Sequence, residues 1–182
     1  MIRFVYTSFV GLVGAALVHV AIVLLLPQLS ENDVWRQIEA NSALNDPVRL
    51  DRYGVDLVAA RTLDPMFGVI ACRYDLDNGV FSMTAPASGD FWSVAVFDDL
   101  GHIVFSANDR IVASENLSLV VAAPLQIRVM QEAPREVFAD SVMVEAKRDQ
   151  GFAVLRIFRP DETYDPVVAD FIERIDCSST EL

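Results

Sequence analysis

Met66-Phe67-Gly68-Val69-Ile70-Ala71-Cys72-Arg73-Tyr74-Asp75-Leu76 runs into Asp77-Asn78-Gly79 and then into Val80-Phe81-Ser82-Met83-Thr84-Ala85. The outer pieces carry the β-branched and aromatic residues that suit a pleated surface, and Asn-Gly supplies the backbone of a tight turn. The stretch therefore predicts a β-hairpin. Downstream, residues 91–97 read as a strand, Asp98-Asp99-Leu100-Gly101 as a turn and residues 102–107 as a fourth strand. Further strand-like runs fall at 117–122, 125–130, 141–145 and 152–158, with polar or proline-containing joints between them. Short strands in series point to a mainly β domain, a β-sandwich or jelly-roll-like pair of sheets, rather than to alternating β-α units. At the far end Asp165-Pro166 opens a helix with proline in its first turn. Val167, Val168, Phe171 and Ile175 form its apolar side, and it stops near Asp176.

Upstream the texture is different. Residues 4–26 form a run of 23 residues without Asp, Glu, Lys or Arg, and at about 1.5 Å per helical residue they cover the roughly 30 Å hydrocarbon core of a bilayer. A signal peptide has a shorter apolar stretch, about 7 to 15 residues, followed by small residues at a cleavage site. Here the run ends Leu24-Leu25-Leu26-Pro27-Gln28-Leu29, so an uncleaved single-pass anchor is favoured. Arg3 and the α-amino group lie on one side of it, while Glu31 and Asp33 precede the first cation, Arg36, on the other. The positive-inside bias then places the N-terminus in the cytoplasm and the body in the periplasm or outside, held at the inner membrane. Within the anchor Ser8, Gly11, Ala15 and His19 recur at spacings of three and four. They form a small, slightly polar stripe that suits close helix association, the alternative being a lone anchor.

Three segments result: residues 1–29, the cytoplasmic N-terminus and anchor; 30–63, a juxtamembrane helix with a connecting segment; and 64–182, the β domain with its helix. Ser30 and Asp33 resemble a capping box for the short helix, which runs to about Asn41, and a strand is expected near 53–58. Trp35 suits either the lipid head-group level or the face of the domain.

The chain of 182 residues carries a net charge of -12. Arg3 is the only charge before Glu31, so the body holds 13 cations against 26 carboxylates. Such a surface repels phosphate backbones, and nucleic acid is excluded as a partner. Cys72 and Cys177 are the only cysteines. Cys72 sits in an apolar strand pattern and Cys177 in a polar tail; a bridge between them is allowed in an exported compartment, but two separate thiols are the favoured reading.

Asp64-Pro65-Met66-Phe67, Ala71-Cys72-Arg73-Tyr74-Asp75-Leu76, Phe91-Trp92-Ser93-Val94 and Phe105-Ser106-Ala107-Asn108-Asp109-Arg110, in that order, resemble the bacterial family catalogued as domain of unknown function twelve fifty-four. The resemblance covers roughly residues 60–160. It implies a β fold and no particular reaction. Members of that family often carry a companion domain, of unknown function twelve fourteen, in the same chain. This chain departs by stopping at 182 and adding an anchor, so the companion is expected as a separate envelope protein.

Among single residues, Asn108-Asp109-Arg110 and Arg73 are the candidate ligand or partner contacts. Arg110 could grip a carboxylate or phosphate with Asp109 orienting it, or the triplet could be a turn held by its own side chains; the turn is favoured. Arg73, Arg128 and Arg156 each interrupt an apolar run, and solvent-facing pairing with local acids such as Asp75 is favoured over a shared anion pocket. His19 and His102 are the only histidines, and neither joins a recognised metal-ligand spacing or a triad pattern. No catalytic residue, metal or organic cofactor is expected. The sequence favours an anchored binding or complex-forming subunit; the alternative is an envelope enzyme acting on a small or wall-derived substrate through an Arg and carboxylate site.

Overall fold

The computed structural model describes residues 2–50, 63–86, 91–110 and 116–182, with the side chains of 26–33 excepted. The strand expected near 53–58 lies outside the described residues. The chain divides into two compact units, Met1–Asp33 and Val34–Leu182. Helix α1 (Ile2–Asn41) begins in the first and ends in the second. Its apolar part, Ile2–Leu25, has mean hydropathy 2.5 and no buried side chain, which fits a membrane anchor or a signal sequence. A separate juxtamembrane helix capped by Ser30 is not found. Pro27 removes one backbone donor, but extending an existing helix past that loss is easier than nucleating a new one.

The second unit is a two-layer β-sandwich. One sheet has the order β1 (Pro47–Arg49), β2 (Phe67–Asp75), β8 (Gln150–Phe158), β4 (Trp92–Asp98), β5 (Ile103–Asn108). The other runs β7 (Val142–Glu145), β6 (Asn116–Ala122), β3 (Val80–Pro86), β9 (Asp176–Thr180). Every pairing is antiparallel except β6 with β7. Ile70, Tyr74, Val96 and Leu155 of the first sheet pack against Phe81, Met83, Leu119 and Val121 of the second, each layer contributing alternate residues. The five-stranded sheet is buried on part of its other face too. There Ile38 and Trp35 at the end of α1 lie with Leu50 over Val69, Ala71 and Val154, and Trp35 stacks on Phe152 at 6.2 Å. Trp35 thus belongs to the domain.

Four expectations are corrected. β2 and β3 do not form a hairpin. Leu76–Asn78 is a 3-10 turn held by Asp75, whose carboxylate accepts from the Asp77 N–H at 3.0 Å, and Gly79 at φ 123° sends the chain into the opposite sheet. β2 needs partners on both edges, which β1 and β8 supply, and Phe81 and Met83 of β3 reach the core only from the facing layer. Residues 125–130 are helical, not extended: α2 (Pro124–Glu132) has Pro at its start, and the Gln126 side chain accepts from the Ala123 N–H at 2.8 Å. Helix α3 (Asp165–Glu173) begins where expected but stops before Ile175, and the polar tail after it is strand β9, which satisfies its backbone on β3. Finally, Cys72 and Cys177 are bonded to each other across 105 residues, β2 in one sheet to β9 in the other. Cys72 points into the shared core, and Cys177 meets it there because β9 faces the same core.

The β4–β5 hairpin forms as expected. Asp98 accepts from the Leu100 and His102 N–H groups at 3.0 and 2.8 Å, and Gly101 takes φ 83°.

Candidate functional site

The polar residues of interest gather on the outer face of the five-stranded sheet and at its ends. Arg73 projects from β2 on that face. Its Nη1 lies 3.3 Å from a Glu39 carboxylate oxygen and 3.5 Å from the Glu39 carbonyl, and the guanidinium sits 5.9 Å above the Trp35 ring. Glu39 is in the last turn of α1, where carbonyls lack helical partners and a cation is favoured. Arg73 therefore fastens the helix end to the sheet, and Asp75 pairs instead with the Gln150 amide at 2.8 Å.

Asn108-Asp109-Arg110 closes the β4–β5 pair at the opposite end. The Asn108 side-chain oxygen accepts from the Arg110 N–H at 3.1 Å, and the Asp109 N–H donates to the Trp92 carbonyl at 3.2 Å. The register sets Ser93 opposite Asn108. The two most specific pieces of the family resemblance, Phe91-Trp92-Ser93-Val94 and Asn108-Asp109-Arg110, are thus neighbours in space. One Asp109 carboxylate oxygen is buried with no hydrogen-bond partner among the described residues, and Arg110 is exposed. No ion pair joins the two among the described residues.

Arg73 and Arg110 are not brought together. Arg73 lies in the row that contains Phe152 and Phe97, whereas Asn108 lies in the row of Ser93 and Arg156. Arg156 is the arginine that register places beside the triplet, exposed and on the same outer face. Arg128 is exposed on α2. His102 Nδ1 lies 3.1 Å from an Asp98 carboxylate oxygen, within the turn.

Three polar features escaped sequence reading. Arg159 is 3% exposed and donates to the Asp165 carboxylate at 2.6 Å and to the Pro65 carbonyl at 2.7 Å, tying the end of β8 to the start of α3. Tyr74 lies in the core with its hydroxyl donating to the Phe97 carbonyl at 3.1 Å; burial, then the nearby Asp98 and Asp99 carboxylates, push its ionisation well above the ordinary phenol range. The ring crosses β8 at Gly151, where a Cβ would collide with the Tyr74 phenol and the Phe97 carbonyl. At the same end the Arg148 guanidinium is bidentate on Asp99 and holds its carboxyl below the usual range.

In the first unit Ser8, Gly11, Ala15 and His19 are exposed along α1, and a Cβ built on Gly11 or Gly14 meets nothing within 4 Å. The stripe is open to a neighbouring helix.

No protein-family model matches the chain, and no curated protein matches it. Among solved structures, the crystal structure of the VPA0106 protein from Vibrio parahaemolyticus aligns with a TM-score of 0.58 at 13% identity. The alignment covers 82% of this chain and 35% of that one. The likeness shows the fold, and the chain spans about a third of the length of that protein. An uncharacterised protein from Burkholderia cenocepacia aligns with a TM-score of 0.40 at 13% identity, over 65% of this chain and 30% of its own.

Proposed function

We propose that this chain is a single-pass protein of the cytoplasmic membrane whose β-sandwich faces the periplasm or outside and acts by binding a companion envelope protein, as an anchored form of the family it resembles. Three features support the topology: the apolar helix, the acidic flank after it, and the Cys72–Cys177 bond, which belongs in an oxidising compartment. Binding is favoured over catalysis because Arg73 is committed to Glu39 and Trp35 and lies at the far end of the sheet face from Arg110.

The observation that carries the binding reading is the distribution of exposed apolar side chains. Of nine large ones in Val34–Leu182 among the described residues, Leu125, Val129, Val137 and Met143 fall within one short stretch. That stretch also forms a surface groove of about 340 Å³ lined by Met130, Pro134, Phe138 and Met143. Clustered exposed apolar surface marks interaction sites. A photo-crosslinking residue at Val137 or Met143 should give one discrete adduct with an envelope protein in intact cells, lost when the other position is changed to Glu. The same probe at Val167 should give none. Equal labelling at all three positions would refute the assignment, and a sandwich resistant to protease in spheroplasts would refute the topology.

A further inference from the structure

Among the described residues, the outer face of the five-stranded sheet is covered over β1, β2 and β8, and no helix lies over β4 and β5. A groove of about 350 Å³ runs there, between the Phe91 and Phe97 rings. Its cause is side-chain size, because the outward residues of β4 between those rings are Ser93 and Ala95. Three rows cross the groove in register: Asn108, Ser93 and Arg156; then Ser106, Ala95 and Val154; then Ile103, Phe97 and Phe152. Rows of same-face residues lie about 7 Å apart along a strand. Polarity therefore falls from a cation, an amide and a hydroxyl to two rings and a 66% exposed isoleucine over about 14 Å.

The charge of the groove runs against that of the protein. The chain is at -12, yet none of the described residues lining this groove is acidic. Among the described residues Arg156 is its single charge, exposed and without a carboxylate partner. The Asn108 side-chain oxygen is engaged by the Arg110 N–H, which leaves its amide hydrogens to donate.

We propose that this groove binds a single-chain amphiphile with an anionic head, a carboxylate or a phosphate. The head sits on Arg156, with Ser93 and Asn108 donating to it. The chain lies over Ala95 and Val154 and ends against Phe97 and Ile103. The volume falls at the small end of ligand sites, which suits a medium-length chain. Arg156 supplies the bidentate donors that such a head accepts. This surface is not the one proposed for the companion, so either reading can fail alone.

The test uses the full-length chain in lipid nanodiscs, with empty nanodiscs as the blank. Octanoate carrying a ¹³C-labelled carboxyl, octyl phosphate, octanol and octyltrimethylammonium are titrated and followed by NMR. Octanoate and octyl phosphate should bind saturably, and octyltrimethylammonium should not. Arg156→Gln should weaken octanoate binding about tenfold or more, the value of one charge-assisted pair, while Arg156→Lys, a point charge without the fork, should weaken it less. Ala95→Trp should fill the trough and abolish binding with melting unchanged, since both positions lie on the outer face. Binding that is absent, indifferent to head-group charge, or unmoved in folded Arg156→Gln and Ala95→Trp variants overturns the proposal. So does crosslinking of a protein at Ser106 with no octanoate binding, which would make the groove a protein interface.

Discussion

Breaking the bond between the sheets should cost the sandwich a large part of its stability. Cys72 and Cys177 close a loop spanning 105 residues, and tying off about 100 residues removes unfolded-state entropy worth about 4 to 5 kcal/mol at 25 °C in the chain-entropy treatment. Residual order in the unfolded chain reduces that to about 3 kcal/mol. Cys72 is fully buried and Cys177 8% exposed, so alanines at both positions change the native packing little beside this. A domain of this size loses about 2 to 4 °C of melting temperature per kcal/mol, which gives a fall of about 10 °C for Cys72→Ala/Cys177→Ala. The chain has two tryptophans, Trp35 and Trp92, both in the sandwich unit. Their fluorescence in the detergent-solubilised protein reports sandwich melting without interference from the apolar helix, which has no tryptophan. Added phosphine reductant should leave the native wild-type protein oxidised until it melts, because the sulfurs are reached only on opening. If the double variant melts within about 3 °C of wild type, the loop argument is wrong.

Three further outcomes follow from the packing and the charges. Gly151→Ala drives a methyl into the Tyr74 phenol and the Phe97 carbonyl, and urea unfolding should show a loss of about 3 kcal/mol or more, partly recovered in a Gly151→Ala/Tyr74→Leu double variant. Arg73→Met removes the hydrogen-bonded cation from Glu39 and should cost about 1 to 2 kcal/mol in the same assay, with a matching loss of Trp35 burial seen as a red shift in its emission. Asp99 has a folded-state ionisation below its unfolded value of 3.8, through the Arg148 hydrogen bond. Its stabilisation is therefore present above that value and lost as pH falls through the folded one. The stability gap between wild type and Arg148→Met should stay constant above about pH 5 and close below about pH 4, measured by urea melts across that range.

Local chemistry was legible in the sequence wherever it acted locally. The β4–β5 turn declared itself because Asp98 and Gly101 organise it within five residues. The turn after Leu76 was equally visible, but turn residues do not say whether the next strand joins the same sheet or the facing one. That choice is made by β1 and β8, which occupy both edges of β2. Leu125, Ile127 and Val129 alternate like a strand, and only Pro124 and the Gln126 cap mark the helix. β9 has a single buried residue, Cys177, so its extended form comes from β3 rather than from its own sequence. The triplet at 108–110 reads as a turn or a site from its residues alone. The alignment of Arg156 with Ser93 and Asn108 needs the strand order, and the Glu39 partner of Arg73 lies 34 residues upstream.

The strand order has a consequence for how copies of this chain meet while being made. β3 is sandwiched between β6 and β9, and β9 follows every other described strand along the chain. Until Asp176–Thr180 has been synthesised, the edge of β3 stands open with Val80, Phe81 and Met83 beside it. A β9 from a second copy fits that edge in the same register and brings its own Cys177 to Cys72. Two copies held close together could therefore exchange this strand, and the exchanged pair would be locked covalently. Such strand-swapped dimers would appear on a non-reducing gel at twice the monomer mass and fall to monomer with reductant.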